Sequence, residues 1–280
     1  MSKIIFWDLG YGGSAEVAAA FSVQAGLHDK YHLLLMNYGY SGTGVEEGFL
    51  TRNRELDRDL RLPVQDYGME ALMRLAESGR LYQANMMDYT YPLLQGRLDL
   101  ADGMQTNSDP RDPAYFQHLE AILNMAERYY DIIVTQVSGL ESILMDSLRE
   151  DDILIAVLRQ NRVELDTFFK LVDVSDAGRG NKPMALVIPH YDAASKWSLQ
   201  NIKRRYNCEA PMIGIPYHTE FNDAWNGQDI IGFFRRYRLL KGRGYEREQF
   251  LFSCKELARL ALTGTVRSKT SAIDDKMKGA

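Results

Sequence analysis

The feature that most constrains the fold is a glycine-rich segment between an apolar strand and a helix at the start of the chain. Residues 4–7 read Ile-Ile-Phe-Trp, residues 8–14 contain three glycines, and a helical stretch begins at Ala15. Glycine adopts positive φ readily, so such a segment can turn tightly and point several backbone amides at one place. This order of elements is typical of α/β proteins that bind phosphate at a helix N-terminus.

The residues that phosphate chemistry requires are missing from this segment. A P-loop ends in Gly-Lys-Ser/Thr, because the lysine holds the terminal phosphates and the hydroxyl holds magnesium. The corresponding residues here are Ala15, Glu16 and Val17. A carboxylate in place of the ammonium repels a triphosphate by about 4 kcal/mol per charge pair at ~4 Å and an effective dielectric constant of ~20. We therefore predict that the loop keeps the structure of a P-loop but does not catalyse phosphoryl transfer.

Composition favours one globular domain. The chain has 280 residues, of which 45% are hydrophobic, and this is enough to bury a sizeable core. The net charge of −5 argues against bulk electrostatic binding to nucleic acid. We predict a single domain over residues 1–262 and a flexible C-terminal tail over residues 263–280, where the periodicity is lost.

Cysteine usage and hydropathy predict a cytoplasmic protein. Cys208 and Cys254 are far apart in the chain, which fits a reducing compartment. The sequence has no signal-peptide pattern and no apolar run near the ~18 residues that span a bilayer. We expect no membrane insertion.

Short apolar runs alternate with longer segments of helical period, as in a sheet that is buried on both faces. The predicted strands are residues 3–9, 31–37, 97–100, 131–137, 152–158, 184–188 and 212–215. The predicted helices are residues 15–25, 66–78, 113–129, 140–149, 162–172, 194–206, 228–238 and 246–262. Polar segments 38–63 and 173–182 are predicted to be loops. The pattern predicts a three-layer α/β/α domain with a mainly parallel sheet, of the P-loop NTPase type.

Four stretches resemble the motifs of one ATPase family and occur in that family's order. They are residues 11–17 (Tyr-Gly-Gly-Ser-Ala-Glu-Val), 129–136 (Tyr-Tyr-Asp-Ile-Ile-Val-Thr-Gln), 186–192 (Leu-Val-Ile-Pro-His-Tyr-Asp) and 214–221 (Gly-Ile-Pro-Tyr-His-Thr-Glu-Phe). They are similar to a Lys-Gly-Gly-x-Gly-Lys-Thr loop, a Tyr-Asp-x-Ile-Ile-Ile-Asp strand that carries the Walker B aspartate, a strand that ends in Asn-x-Tyr-Asp beside the base, and an Ile-Pro-Tyr stretch. The chain thus resembles the ParA/MinD group of deviant-Walker P-loop ATPases over about residues 3–262, and more narrowly its TadZ/CpaE-like members linked to pilus assembly.

The resemblance implies that every catalytic position departs from the family pattern. Tyr11 stands for the signature lysine that reaches across a dimer, Glu16 for the P-loop lysine and Val17 for the magnesium-binding hydroxyl. Gln136 stands at the Walker B position, and residues 37–40 stand where the family supplies an aspartate for the attacking water. Phosphoryl transfer depends on positioning and on neutralising charge. We predict a pseudo-ATPase with no catalytic residues.

Two interpretations of the loop remain open. In the first, the glycines make only a tight turn, and the Glu16 carboxylate takes the place of a phosphate against the exposed amides at the helix start. In the second, a weak pocket survives and accepts a nucleotide or another small anion through backbone amides. Its residues would be Tyr11, Gly12, Gly13, Ser14, Ala15, Glu16 and Val17. The first predicts no cofactor, and ATP or ADP is the alternative.

The resemblance also implies a base-side pocket at the ends of two neighbouring strands. Its residues would be His190, Tyr191, Asp192, Pro216 and Tyr217. His190 and His218 should lie at the same edge of the sheet, where α/β proteins bind ligands. We predict no metal site, because no cysteine or carboxylate cluster has ligand spacing.

Two basic clusters suggest a surface for an anionic partner. One consists of Lys203, Arg204 and Arg205, and the other is centred on Arg235, Arg236 and Arg238, with Lys241, Arg243 and Arg247 nearby. The alternative is a solvated face whose cations complement helix C-termini.

We expect a catalytically inactive adaptor or positioning factor. The resemblance implies a Tad/Flp-type pilus or secretion system, a homodimer, and contact with an assembly ATPase as protein partner. One alternative is a chromosome or plasmid partition-type protein that binds DNA through the basic clusters. Another is a weak nucleotide-binding ATPase with an atypical P-loop.

Overall fold

An eight-stranded sheet forms the middle layer of the protein, with the strand order β3-β4-β2-β5-β1-β6-β7-β8. The computed structural model describes residues 3–38, 44–50, 67–104, 113–139, 152–176, 184–238 and 245–278. Neighbouring strands are parallel except for β3 and β4, which are antiparallel. The strands are β1 Lys3–Asp8, β2 Leu33–Asn37, β3 Tyr91–Leu94, β4 Leu98–Ala101, β5 Ile132–Ser138, β6 Ile153–Val157, β7 Met184–Pro189 and β8 Met212–Ile215.

Helices cover both faces of the sheet in the described part of the chain. The α-helices are α1 Ser14–His28, α2 Gly68–Glu77, α3 Pro113–Ala126, α4 Arg162–Asp176, α5 Leu199–Tyr206, α6 Thr219–Asn226, α7 Ile230–Arg238 and α8 Tyr245–Lys278. Two short 3-10 helices span Val45–Gly48 and Gln83–Tyr89. One face packs on α1, α6, α7 and α8, and the other packs on α2 and α3 and on α4 and α5. The predicted three-layer α/β class is confirmed.

The core follows from the alternation of side chains along the central strand. Ile4 and Phe6 of β1 point to the face that carries α1, whereas Ile5 and Trp7 point to the opposite face. Every residue of β1 is buried, since it lies between β5 and β6. Phe21 of α1 meets Phe6 with ring centroids 5.3 Å apart, and a fully buried phenylalanine contributes about 2–3 kcal/mol.

The structure differs from the predicted elements at the sheet edge and at helix ends. Strand β3 and helix α6 were not predicted, while the predicted loop from residue 173 begins inside α4. The last helix does not end at Leu262 but continues to Lys278, because turns without an apolar face give no periodic signal. The flexibility of residues 263–280 stays a prediction. The predicted helix over residues 140–149 lies outside the described residues.

No helix in the part of the chain that the structure describes is both long enough and apolar enough to cross a membrane.

A buried polar network joins the amino ends of β2, β4 and β5. The Tyr130 hydroxyl donates to Asp99 Oδ2 at 2.9 Å, and His32 Nε2 lies 3.1 Å from the same oxygen. Thr90 Oγ1 lies 3.0 Å from the Tyr130 hydroxyl. Burial raises the pKa of the Asp99 carboxyl, and the Tyr130 hydrogen bond and His32 oppose this rise only in part. The Asp99 carboxyl therefore holds its proton more tightly in the folded chain than in the unfolded chain.

We predict that Asp99 makes the folded state less stable as the pH rises. Between its ordinary pKa of 3.8 and its raised pKa, the folded chain holds a proton that the unfolded chain has released. The free energy of unfolding therefore falls with rising pH across this window. Urea unfolding of the wild type and Asp99→Asn from pH 4 to pH 7 should show the wild type losing stability relative to the variant. Asp88→Asn, which removes an exposed carboxylate, controls for the loss of one charge. The prediction would be contradicted if the free energy of unfolding of the wild type rose relative to that of Asp99→Asn as the pH rises.

Candidate functional site at the glycine-rich loop

The glycine-rich loop connects the end of β1 to the first turn of α1. Gly10, Gly12 and Gly13 have φ values of 90°, 84° and 101°. Residues with a Cβ rarely adopt these values, so the three glycines allow the tight turn that the sequence predicted. The loop lies in the middle of the carboxyl edge of the sheet, because β1 has β5 on one side and β6 on the other.

The carboxylate of Asp8 accepts the hydrogen bonds of the loop. The Gly10 amide donates to Oδ1 at 2.7 Å and the Gly12 amide to the same oxygen at 3.4 Å. The Ser14 amide donates to Oδ2 at 3.3 Å, and the Ser14 hydroxyl also donates to Oδ2. The Ser138 hydroxyl, from the end of β5, donates to Oδ1 at 2.7 Å. A side chain of this protein thus takes the amides that a P-loop offers to a phosphate.

Sequence reasoning missed Asp8, although a signal was present. An aspartate before a glycine-rich turn commonly accepts from the backbone amide two residues later. Asp8 is only 1% exposed, and it bonds at i+2, i+4 and i+6. Sequence reasoning had assigned this role to Glu16, which is the charged residue nearest to the start of the helix.

The Glu16 carboxylate lies beside the residue that follows β7, with Oε2 3.7 Å from His190 Nε2. The amides of Gly10, Gly12 and Ser14 donate to Asp8, so the interpretation that Glu16 takes the place of a phosphate against these amides is wrong. Burial raises the pKa of the Glu16 carboxyl, His190 lowers this pKa, and Glu47 raises it further. Ala15 is partly buried beside the core, and Val17 is buried within it. The first turn of α1 therefore presents no ammonium or hydroxyl at these positions.

Gln136 lies beside Ser14 in the middle of the sheet edge. It pairs with Phe6 of β1 and with Asn37 of β2, and its Nε2 donates to Ser14 Oγ at 3.0 Å. Its Oε1 accepts no hydrogen bond from the described residues. The side-chain amide of Asn37 donates through Nδ2 to both carboxylate oxygens of Glu46, at 3.0 and 2.9 Å. The end of β5 beside the loop thus holds a neutral amide, while residues 39–40 lie outside the described residues.

Tyr11 lies on the surface of the glycine-rich loop. It is 49% exposed, and the Arg159 guanidinium lies over its ring, 4.7 Å from the centroid. Arg159 Nε also donates to Glu164 Oε2 at 2.8 Å. Tyr11 therefore presents an aromatic surface next to a cation.

The predicted base-side pocket is only partly assembled. A small cavity of about 20 Å³ has room for roughly one water molecule. His190, Pro216 and Tyr217 line it, together with Glu16, Val17, Ala20, Pro189, Ile215, His218, Phe221, Asn222 and Phe250. Tyr191 and Asp192 lie outside this lining, because Tyr191 packs against Gly214 and Asp192 accepts from the Ala194 amide at 2.8 Å.

The histidines at this edge are held in place by their neighbours. His218 Nδ1 accepts from the Phe221 amide at 3.2 Å, and burial lowers the pKa of His218. His190 has a φ of 50°, in the left-handed region, and its ring contacts that of Tyr217 at a centroid distance of 5.4 Å. Within the described residues, no group of three or more His, Cys, Asp or Glu side chains could hold a metal ion.

The described part of the site carries negative charge. Asp8 ends β1 and Glu16 lies in the first turn of α1, and neither forms an ion pair with a lysine or arginine among the described residues. Glu47 adds a further negative charge near Glu16. Like charges in a partly buried site repel by several kcal/mol at contact distance, on the order of 4 kcal/mol at ~4 Å.

The two basic clusters lie on opposite layers of the protein. Lys203, Arg204 and Arg205 lie at the end of α5, where Arg205 lies 5.2 Å from the centroid of the Trp197 ring and Arg204 Nη2 donates to Asn201 Oδ1 at 2.6 Å. None of the three forms an ion pair with a carboxylate in the described part of the chain. They therefore form an uncompensated basic patch.

In the second cluster, on α7 and α8, two of the described arginines form ion pairs. Arg236 pairs with Asp229 at 3.1 Å, and Arg247 pairs with Glu220 at 2.7 Å. Arg235 is exposed. The structure does not describe Lys241, Arg243 or the side chain of Arg238. Their part in a surface for an anionic partner stays a prediction. The structure does not bring the two clusters together, because α5 and α7 pack on opposite faces of the sheet.

Comparison with known proteins identifies the architecture. No protein-family profile matches the sequence, and no curated protein sequence matches it. Solved structures do match. A ParA family ATPase from Chlorobium tepidum TLS superposes with a TM-score of 0.68 at 12% identity, over 92% of this chain and 98% of that one. MinD in the MinC:MinD cell division complex of Aquifex aeolicus gives 0.62 at 14% identity, over 92% and 95%.

A plasmid partition protein of Borrelia burgdorferi B31 bound to AMPPNP gives a TM-score of 0.62 at 12% identity, over 91% of this chain and 98% of that chain. At these identities the likeness concerns the fold, and it extends over nearly the whole of each chain. The protein therefore has the three-layer α/β fold of the ParA and MinD ATPases.

Proposed function

We propose that this protein is a ParA/MinD-like positioning factor or adaptor that does not hydrolyse ATP. The observation that carries the proposal is the position of Glu16, which points to His190 where a P-loop lysine would hold the terminal phosphates. The neighbouring positions agree with it, since Gln136 is a neutral amide bonded to Ser14 and Val17 is buried in the core.

The site differs from a catalytic P-loop by more than the loss of one group. Transfer of a phosphoryl group requires cations around the equatorial oxygens, and a single missing donor of this kind lowers the rate about 10²–10³-fold. Here a carboxylate replaces the lysine, so the site both lacks the attraction and adds a repulsion of about 4 kcal/mol. Function must then depend on contacts with other macromolecules.

Protein contacts are the class of activity that the fold supports best. One similar structure is that of MinD in complex with MinC, so this fold can present a surface to a protein partner. We propose that the chain acts as a homodimer in a Tad/Flp-type pilus or secretion system and contacts an assembly ATPase. Tyr11, exposed and stacked under Arg159, offers an aromatic contact that needs no nucleotide.

We predict that the purified protein neither releases phosphate from ATP nor binds it. Titration calorimetry with ATP and ADP, with and without magnesium, should give no heat beyond dilution, because Asp8 and Glu16 oppose the phosphates. A phosphate-release assay over a range of magnesium concentrations should match buffer. Any residual turnover must be compared in Glu16→Gln and in Glu209→Gln, an exposed carboxylate away from the loop. Turnover that Glu16→Gln abolishes and Glu209→Gln preserves would establish an enzyme and overturn the proposal.

The second candidate is a partition-type protein that binds DNA, and the basic patch on α5 favours it. Lys203, Arg204 and Arg205 have no carboxylate partner among the described residues, and Trp197 lies beside them. For this candidate we expect duplex DNA binding whose log K falls with log salt at a slope of about −3, as for roughly three phosphate contacts. Fluorescence anisotropy of a labelled duplex at several salt concentrations measures it.

The matched control for the DNA experiment is the second cluster, on the opposite face of the sheet. A Lys203→Gln, Arg204→Gln, Arg205→Gln variant should lose the binding, whereas Arg235→Gln, Arg236→Gln should retain it. The adaptor proposal instead expects no binding at physiological salt in any of these proteins.

A further inference from the structure

We propose that Asp8 is a built-in anion that occupies the phosphate position of the glycine-rich loop, so that the loop keeps its closed conformation without any ligand and excludes phosphate while Asp8 is present. This inference concerns the same site as the proposed function. It rests on that function because it requires that no nucleotide holds the loop.

Asp8 accepts hydrogen bonds from several donors of the loop and of β5. Three backbone amides and two hydroxyls converge on its carboxylate, from Gly10, Gly12, Ser14 and Ser138. Converging loop amides at the start of a helix form an anion site, because the helix dipole and the N–H groups act together. Asp8 is 1% exposed, and these donors replace the water that a buried carboxylate loses. The carboxylate thus has the environment of a bound anion.

Asp8 also takes part in a connection across the sheet. Ser138 belongs to β5, and its hydrogen bond to Asp8 spans 130 positions in the sequence. The Gly139 amide also donates to the Asp8 carbonyl at 2.9 Å, and Trp7 Nε1 donates to the Gly139 carbonyl at 2.7 Å. Asp8 therefore ties the loop to the ends of two strands, which is more than a local turn requires.

Gln136, from β5, shares the Ser14 hydroxyl with Asp8. Gln136 is 4% exposed, and its Oε1 accepts no hydrogen bond from the described residues. Because the Ser14 hydroxyl donates its proton to Asp8, Ser14 Oγ can only accept from Gln136, through Nε2 at 3.0 Å. Among the described residues, the hydrogen bond from Ser14 to Asp8 thus leaves the buried Gln136 Oε1 without a donor, and an unsatisfied buried acceptor costs free energy.

These contacts have a consequence for ligands. A phosphate would need the same amides and hydroxyls that Asp8 engages, and its charge would repel the carboxylate. Removal of the carboxylate leaves converging donors with no acceptor, so the site should accept a small oxyanion from solution. Inorganic phosphate is the probe of choice, because it has the shape and charge of the group that such loops bind.

The experiment is an anion rescue of stability in the full chain. Thermal unfolding of wild type, Asp8→Ala and Asp152→Ala is followed in chloride and in about 50 mM inorganic phosphate, at equal pH and ionic strength. Asp152 is the matched control, because it is also a buried aspartate that accepts a backbone amide, from Lys3 at 2.9 Å, but it precedes β6 at the opposite edge of the sheet. With a dissociation constant on the order of 5 mM, phosphate multiplies the folded-to-unfolded ratio of Asp8→Ala about tenfold.

We expect phosphate to raise the Tm of Asp8→Ala by about 3 °C, and to raise that of wild type and Asp152→Ala by less than about 1 °C through general salt effects. An Asp8→Ala shift no larger than that of Asp152→Ala would overturn the inference. So would a wild-type shift as large as that of Asp8→Ala, because the loop would then be open in the presence of Asp8.

A second variant covers the case in which Asp8→Ala does not fold. Asp8→Asn keeps the volume of the side chain but replaces one accepting oxygen with a donor, and it should show a phosphate shift larger than that of wild type. If phosphate raised the Tm of Asp8→Asn by no more than it raises that of the wild type, the inference would be overturned. Failure of the rescue leaves the absence of ATP turnover untouched, whereas turnover by the wild type overturns the proposed function whatever the rescue shows.

Discussion

The hydrogen bonds of the Asp8 carboxylate organise the centre of this molecule. β1 lies between β5 and β6, so its last residue stands where the loop, the first turn of α1 and the end of β5 meet. A buried ionised carboxylate is tolerated only when donors replace its water shell. Backbone amides of Gly10, Gly12 and Ser14, with the hydroxyls of Ser14 and Ser138, meet this requirement. The positive φ values of the loop glycines bring those amides to one point.

The other changes at the site are compatible with that carboxylate. With Asp8 among the loop amides, a lysine at position 16 would have no phosphate to hold, and Glu16 instead lies 3.7 Å from His190. A second carboxylate at the Walker B position would crowd Ser14 with negative charge, and the neutral Gln136 donates to Ser14 instead. If the protein binds no nucleotide, as we propose, Asp8, Glu16 and Gln136 form one electrostatic arrangement that needs no phosphate.

The sequence was most informative where a single physical requirement acts. Strands buried on both faces require continuous apolar runs, so all the central strands were predicted to within two residues of their ends. β3 was missed because a four-residue antiparallel edge strand carries neither such a run nor a clear alternation. α6 was missed because it spans eight residues, too few for a helical period to stand out. Asp8 was missed because the acceptor of a loop amide depends on the turn that the glycines make, and Glu16 and Asp8 are equally plausible candidates before that turn is known.

A loop that is satisfied from within has a consequence for regulation. In a P-loop the amides gain their acceptor when a nucleotide arrives and lose the γ-phosphate when it is hydrolysed, so the conformation follows the ligand. A ligand shifts an equilibrium only by its differential affinity for two states. Asp8 is present in every molecule at all times, and as a covalent part of the chain its effective concentration at the loop does not vary. If the loop binds no nucleotide, as we propose, a switch in this protein would act at a surface and not at the loop, and the Tyr11–Arg159 stack and the basic patch on α5 are the candidates.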